Sequence, residues 1–382
     1  MSWGNPHTLK DKALRTVLMP AAVFYGAGAM MRTASYQRGL RRQTRLNVPV
    51  LSIGNITCGG TGKTPMTIEI GKLLIDAGLR VGILSRGYKR KSSEATVIVS
   101  NGAGRLASVE EAGDEPLLIA NSLPRAVVIV GANRSATGSL ATSSFFGCDI
   151  ILLDDGMQHL ALYRDADIVL IDYNDALENN AVLPAGRLRE PLSALRRAST
   201  IVITKVPVDF DEQKLEKLRR VIKHHAPDPA VNLSRLVPSR LVPLTGVACP
   251  LSRLATAKIA VFSGLANPRN FHETLSACGA NIVKEIRYGD HHWYTDDDLD
   301  ALKKEAADVD LIVTTEKDLV KLQPYAQAGG TPALARTGRG NLAEKLYALQ
   351  VKVEWIDTMP SLLHQFVKAP QLAVYPGFRR DD

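Results

Sequence analysis

With 382 residues, 45% hydrophobic and 23% charged, the chain has the make-up of a soluble α/β protein. It has room for two domains, because single cores stop growing beyond roughly 250–300 residues. Its four cysteines, Cys58, Cys148, Cys249 and Cys278, are scattered with no C-x-x-C pair, which argues against a disulfide framework and a cysteine zinc site and fits a reducing compartment. The formal net charge of +8 is concentrated near the amino terminus rather than spread evenly.

Lys10, Lys12 and Arg15 precede an apolar run from Thr16 to Met31, and Arg32, Arg38, Arg41, Arg42 and Arg45 follow it. The run is about fifteen residues, with Pro20 and Gly26-Ala27-Gly28 inside, against the ~20 residues a spanning helix needs. It also lacks the cleavage pattern of a secretory signal. The expectation is a helix lying at an anionic membrane surface, where each flanking arginine contributes on the order of 1 kcal/mol. Nucleic acid is not expected as a partner, because the basic segment lacks the series of stacking aromatics that single strands use. No obligate protein partner is evident.

Val48 to Ile53 is a β-type run, a glycine-rich turn follows, and Met66 to Ala77 is amphipathic, giving strand, loop and helix. In the turn, Gly59, Gly60 and Gly62 flank Thr61 and let successive backbone N–H groups converge on one concavity, to which the helix start adds its own N–H groups and dipole. Such a nest takes phosphate. Lys63 would reach the β- and γ-phosphates of ATP, the Thr64 hydroxyl would hold Mg²⁺, and Pro65 is harmless in the first helical turn. Thr57 occupies the place where the G-x-x-x-x-G-K-T pattern has its first glycine, so the loop is a variant. Its core resembles the ParA/MinD-like branch, although the lysine that branch carries before the double glycine is Cys58 here. A membrane-associated ATPase switch of that kind is the alternative reading.

Further strands are expected at 79–84, 95–100, 126–130, 150–153 and 166–171. Near-continuous apolar strands separated by helices indicate a parallel sheet covered on both faces, with ligands at the carboxyl ends of the strands. Polar residues gather at those ends: Ser85 to Arg90, Gly113 to Pro116, Gly131 to Arg134, and Asp154-Asp-Gly-Met-Gln-His159. An apolar strand running into Asp154 and Asp155 has the form of a Mg²⁺-ordering carboxylate position beside the phosphate loop. The Pro- and Gly-punctuated stretch Leu183 to Pro191 reads as a connector, with a boundary near 195–200. Beyond it the α/β rhythm resumes, with strands at 200–205, 258–263, 281–286 and 309–314 and helices at 268–278 and 296–306. Asp290-His291-His292 follows a strand in this half, with no third ligand at metal spacing, so one histidine is expected to work with a carboxylate of the first half across a cleft.

Together these stretches resemble the tetraacyldisaccharide 4'-kinases of lipid A biosynthesis, from about Leu18 to about Leu362. The resemblance rests on Pro49 to Pro65, Ser85-Arg-Gly-Tyr88, Gly113-Asp-Glu-Pro116, Asp154 to His159, Leu183 to Pro191, Asp290-His-His292 and Thr314-Thr-Glu-Lys-Asp318. It implies a P-loop kinase moving the γ-phosphoryl of ATP to the 4'-hydroxyl of an acylated glucosamine disaccharide 1-phosphate at the cytoplasmic face of the inner membrane. It also implies two α/β/α sandwich domains, the first with a P-loop NTPase-type parallel sheet, joined by a short two-stranded linker and preceded by a membrane-associated helix. The expected partition is 1–45 for the helix and basic segment, 46–197 and 198–365 for the domains, and 366–382 for a tail. Lys63 then falls on the ATP phosphates, and Thr64, Asp154 and Asp155 on Mg²⁺. Asp114 is the catalytic carboxylate, paired with His291, and Glu115, Arg86, Arg134, Gln158, His159, Arg187 and Arg189 are polar residues lining the site.

Overall fold

The computed structural model describes residues 9–177, 180–265, 268–327 and 340–368. Helix α1 (Leu9–Gln37) is 29 residues long, roughly twice the apolar run from which a short interfacial helix was expected. Arginine, lysine and alanine are good helix formers and carry the helix past both ends of that run. Among the described residues, Lys12–Gln37 is long and apolar enough to cross a membrane by length and composition.

The first sheet is built from β1 (Val50–Asn55), β2 (Val81–Ser85), β3 (Thr96–Asn101), β4 (Val127–Gly131), β5 (Ile150–Asp154), β6 (Ala166–Asp172) and β7 (Thr200–Thr204). Helices α2 (Lys63–Asp76), α3 (Val109–Ala112), α4 (Asp114–Ser122) and α5 (Arg134–Ala141) connect them. Every strand except β3 carries a near-continuous buried run, as strands covered on both faces must. The half-exposed β3 pairs antiparallel with β4 at the sheet edge, where the sequence pattern had suggested one more parallel strand.

Strand β7 pairs with β6, and α6 (Glu212–His225) buries Leu215, Leu218 and Ile222 against Ile201 and Ile203. Residues 200–225 therefore pack with the first sheet, although the connector placed a boundary before them. The long β8 (Ala230–Pro243) then changes partners: its first residues pair in parallel with β7, and the rest pair antiparallel with β12 (Leu346–Trp355).

Beyond β8 lie α7 (Arg253–Thr256), β9 (Lys258–Ser263), α8 (Pro268–Ala277), β10 (Asn281–Arg287), α9 (Asp296–Ala306), β11 (Leu311–Thr315) and α10 (Glu316–Gln327). Among the described residues, twelve strands form one sheet, ordered β10-β9-β11-β12-β8-β7-β6-β1-β5-β2-β4-β3, so the two-stranded link is part of the sheet itself. Val320 of α10, Val353 of β12, and Leu363 and Phe366 of the helix Ser361–Lys368 join the first core beside Ile70 and Leu74. The second half thus leans on helices α2 and α4 of the first. Of the expected tail, only residues up to 368 lie within the described residues.

Candidate active site

The phosphate-type loop leaves β1 at Asn55 and enters α2 at Lys63. Gly59 (φ 122°) and Gly62 (φ 84°) adopt backbone shapes that L side chains resist, and a Cβ on Gly59 would meet the Arg187 guanidinium at 2.6 Å. No side chain caps α2, and no acidic residue lies in its first turn, so its N–H groups face the concavity without a protein acceptor charge.

The loop's carbonyls are engaged on the far side. Arg187 donates to the Cys58 carbonyl at 3.1 and 2.8 Å, Lys205 Nζ donates to that of Gly60, and the Thr204 hydroxyl donates to that of Thr61 at 2.9 Å. With the carbonyls of Cys58, Gly60 and Thr61 held on that side and Thr61 N donating to Gly59 O at 3.2 Å, the N–H groups of Gly59, Gly60 and Gly62 are left for the concavity. The non-glycine at Thr57 also has a reason: it bridges Leu188 in a short antiparallel pairing, and its hydroxyl donates to Asp175 at 2.9 Å. The Leu183–Pro191 stretch, which reads as a connector, is therefore a strap laid along the loop, with Cys58 N donating to Arg187 O and Arg189 N to Ile56 O, both at 2.7 Å.

Asp154 and Asp155 stand side by side at the end of β5 in different surroundings. Asp154 is buried and accepts from the Ser85 hydroxyl at 3.0 Å and the Thr67 hydroxyl at 3.4 Å. Burial, then the nearby charges of Glu115 and Asp155, push its carboxyl up to about 7. Asp155, at φ 52°, is held in a two-pronged pair by Arg189 at 2.7 and 3.1 Å and lies 3.8 Å from Lys63. Despite its burial, Lys63 and Arg189 hold it below the usual carboxylate range. A hard divalent cation suits this donor set: the buried Asp154 carboxylate lacks a full counter-charge, and the buried Thr64 hydroxyl lies on the adjoining helix turn.

Asp114 opens α4 and is 7% exposed. Its Oδ2 meets Nδ1 of His291 at 2.9 Å, joining two chain segments 177 residues apart. Burial alone would raise the Asp114 carboxyl, but the His291 hydrogen bond and the charges of Lys317 and Lys321 hold it below its ordinary value. His291 sits at φ 58°, its N–H donates to the Gly264 carbonyl at 3.1 Å, and the Tyr88 ring stands edge-on to it at 5.9 Å. His292 points elsewhere, to Asp298 at 2.9 Å and stacked on Tyr288 at 4.7 Å. Glu115 pairs with Lys317, a second contact between the halves.

The remaining expected residues divide by task. Arg86 is exposed and lies close to the buried Arg134; burial and that neighbour lower Arg134 from its ordinary value. Gln158 tethers the Asn55 carbonyl to Glu190, both at 2.9 Å. His159 keeps a buried Nε2 with no protein partner, and burial followed by the charges of Arg134, Arg164, Arg32 and Arg86 pushes its imidazole down to about 4. Asn55, Asp172, Asp175, Lys205, Lys317 and Lys321 were missed by sequence reasoning. Lys205 had a signal, standing at the end of a strand beside the loop, but it read as the opening of a second domain.

Helix α1 reaches this region. The Tyr25 hydroxyl donates to the Arg189 carbonyl at 3.1 Å, Gly26 packs on Val182 and Pro191, and Arg197 donates to the Thr33 hydroxyl at 3.2 Å. On the opposite side of the helix, Val17, Val23, Phe24, Met30 and Met31 are exposed.

A family model described as tetraacyldisaccharide-1-P 4'-kinase matches residues 14–368. A tetraacyldisaccharide 4'-kinase of Anaeromyxobacter sp. (strain Fw109-5) is 42% identical over 329 residues, covering 85% of this chain and 87% of that protein. Another, from Syntrophus aciditrophicus (strain SB), is 40% identical over 341 residues, covering 84% and 88%. Among solved structures, the "apo" form of LpxK from Aquifex aeolicus in complex with ATP superposes with a TM-score of 0.73 at 31% identity, covering 94% of this chain and 99% of that one.

Proposed function

Since the chain belongs to the tetraacyldisaccharide 4'-kinase family, we propose a division of labour in which the edge of the first sheet holds the donor and the Asp114–His291 pair readies the acceptor. The protein is an ATP-dependent kinase that transfers the γ-phosphoryl of ATP to the 4'-hydroxyl of tetraacyldisaccharide 1-phosphate in lipid A biosynthesis. The loop N–H groups from Gly59 to Thr64 cradle the phosphates, and Lys63 places a positive charge on the β- and γ-oxygens. Thr64 and Asp154 would hold Mg²⁺, which when bound neutralises charge on the phosphates. Asp155 is assigned to fixing Lys63 and Arg189 rather than to the metal, because both of its oxygens are already engaged by Arg189.

The acceptor oxygen forms a bond to the γ-phosphorus as the bond to the β–γ bridging oxygen breaks. Asp114 takes the hydroxyl proton as it leaves, and His291 orients the carboxylate and shares that proton. A carboxylate is far too weak a base to ionise a free sugar hydroxyl, so this help is confined to the transition state and contributes typically about 10²–10⁴-fold. Positioning and charge neutralisation supply more. Arg86 and Arg134 line the approach as a cationic pair suited to phosphate oxygens, with the neutral His159 beside them.

The acceptor is an acylated, anionic lipid, and the bare apolar side of α1 suits it to the cytoplasmic face of the inner membrane. The packed side of the helix meanwhile touches the strap that holds the phosphate loop. The single observation carrying this reading is the 2.9 Å contact between Asp114 and His291, one from each half of the chain, with the adjoining Glu115 near enough to Asp154 to help raise its carboxyl. Incubation with γ-labelled ATP, Mg²⁺ and tetraacyldisaccharide 1-phosphate should give a labelled bisphosphorylated lipid, and Asp114→Asn should lose that product while still binding ATP. Hydrolysis of ATP with no labelled lipid would overturn it.

A further inference from the structure

Behind the Asp114–His291 contact lie two charges that the scheme above leaves unused. Lys321 and Asp318 stand three residues apart on α10, with side chains 2% and 1% exposed, and their charged atoms meet at 2.9 Å. Replacing a buried ion pair by apolar residues is often neutral or stabilising, so stability alone gives little reason for this one. Its other contacts supply a reason. Lys321 Nζ donates to the His292 carbonyl at 3.0 Å, lies 4.0 Å from Asp114 Oδ2, and sits over the Tyr294 ring. Asp318 accepts from the Gly264 N–H at 3.0 Å and the Thr315 hydroxyl at 2.7 Å, and the Gly264 carbonyl in turn accepts from His291 N. The backbone on both sides of the 291–292 peptide is thus fastened to one turn of α10.

We propose that Lys321, paired with Asp318, is a positioning residue for phosphoryl transfer: it fixes the left-handed loop that presents His291 and sets a positive charge against Asp114. The inference rests on the reading of Asp114 and His291 given above. His291 at φ 58° occupies a backbone region that a non-glycine residue keeps only where its surroundings impose it. The Lys321–Asp318 turn supplies that constraint and a counter-charge in the same place. Asp114 is faced by His291 from the loop after β10, by Lys317 and Lys321 from α10, and by Glu115 beside it on α4, while Arg90 lies against Gly113 just before it. Removing the positive charge of Lys321 therefore raises the Asp114 carboxyl and moves the acid limb of the rate upward in pH.

The test uses the full-length enzyme with Mg²⁺, ATP and tetraacyldisaccharide 1-phosphate. The double variant Asp318→Asn/Lys321→Met removes both charges without stranding either. It should lower kcat about 30-fold, keep the KM for ATP within about twofold, and raise the acid limb by about one pH unit. Introduced into Asp114→Asn, the same double change should cost less than about threefold in the residual rate, because residues acting through one another are not additive. If the double variant does not fold, Thr315→Val, which removes one hydrogen bond from Asp318, should give about a threefold fall of the same kind. Unchanged kcat and an unmoved acid limb, or an equal loss in the Asp114→Asn background, would overturn the inference. If Asp114→Asn itself turns over normally, the underlying assignment of Asp114 fails and this inference falls with it. A dead Asp114→Asn beside a normal double variant sinks this inference alone.

Discussion

The phosphate-binding loop and the loop that carries His291 both need left-handed backbone, and they obtain it differently. The first uses Gly59 and Gly62, residues that take positive φ without a steric cost, and its carbonyls are then secured by Arg187, Lys205 and Thr204. The second places a histidine at φ 58° and depends on contacts from distant elements, the Gly264 carbonyl and the Lys321–Asp318 turn, to keep it there. Left-handed backbone costs a non-glycine residue roughly 1–3 kcal/mol, so the His291 loop keeps its shape only while Gly264 and the Lys321–Asp318 turn hold it. The donor site is written into its own segment, whereas the acceptor site exists only in the assembled fold.

Substitutions that separate the two regions should show this contrast, beginning with the largest effect. Lys63→Ala removes the charge on the transferring phosphoryl, and kcat/KM should fall by about 10³-fold or more in the labelled-transfer assay. His291→Ala should lower kcat by about 10²-fold with ATP binding nearly unchanged, whereas His292→Ala, whose ring contacts Asp298 and Tyr288, should cost only a few-fold. The reverse order of the two histidines would show that the Asp114 contact is not the working one. Arg187→Met frees the Cys58 carbonyl, and loss of a charge-assisted hydrogen bond worth about 1.5–3 kcal/mol should raise the KM for ATP about tenfold or more, leaving that for the lipid alone. A loss confined to kcat would mean that the loop keeps its shape without the strap.

Two smaller effects test the remaining parts of the site. Phe24→Asp and Met31→Asp on the bare side of α1 should move the protein toward the soluble fraction and raise the KM for lipid several-fold, since each buried apolar side chain contributes roughly 1.5–3 kcal/mol. Unchanged partitioning would remove the membrane from the account of this helix. The last effect concerns pH and stability. His159 is held neutral in the folded protein down to about 4, against an ordinary value of 6.5, so unfolding takes up a proton between those values. Its contribution to stability is fully present above about 6.5 and is lost as the pH falls through about 4. His159→Gln should therefore show a smaller drop in melting temperature between pH 7 and pH 5 than the parent, measured by calorimetry. An identical drop would mean that His159 does not titrate this way.

The amino-acid sequence determined the donor site by itself, because a phosphate nest is a short-range object. Gly59 to Thr64 set its backbone, and an apolar strand ending in Asp154 and Asp155 sets a carboxylate beside it through sheet pairing between β1 and β5. Asp114 and the Asp290-His291-His292 stretch were also legible as chemistry, being ionisable groups in short polar stretches between the regular elements. Which histidine faces Asp114 followed only from the family resemblance, since local pattern does not separate two adjacent imidazoles, and the backbone angle that does is held by Gly264 and Lys321. The length of α1 escaped notice because an apolar run marks where a helix is greasy, not where it stops. Leu183 to Pro191 looked like a linker because proline and glycine mark irregular backbone without saying what that backbone lies against. Tertiary structure alone decided that it straps the phosphate loop, and that Lys205, Lys317 and Lys321 serve the site. Those contacts join segments far apart in the chain, and their geometry follows from strand order and helix docking rather than from any local pattern.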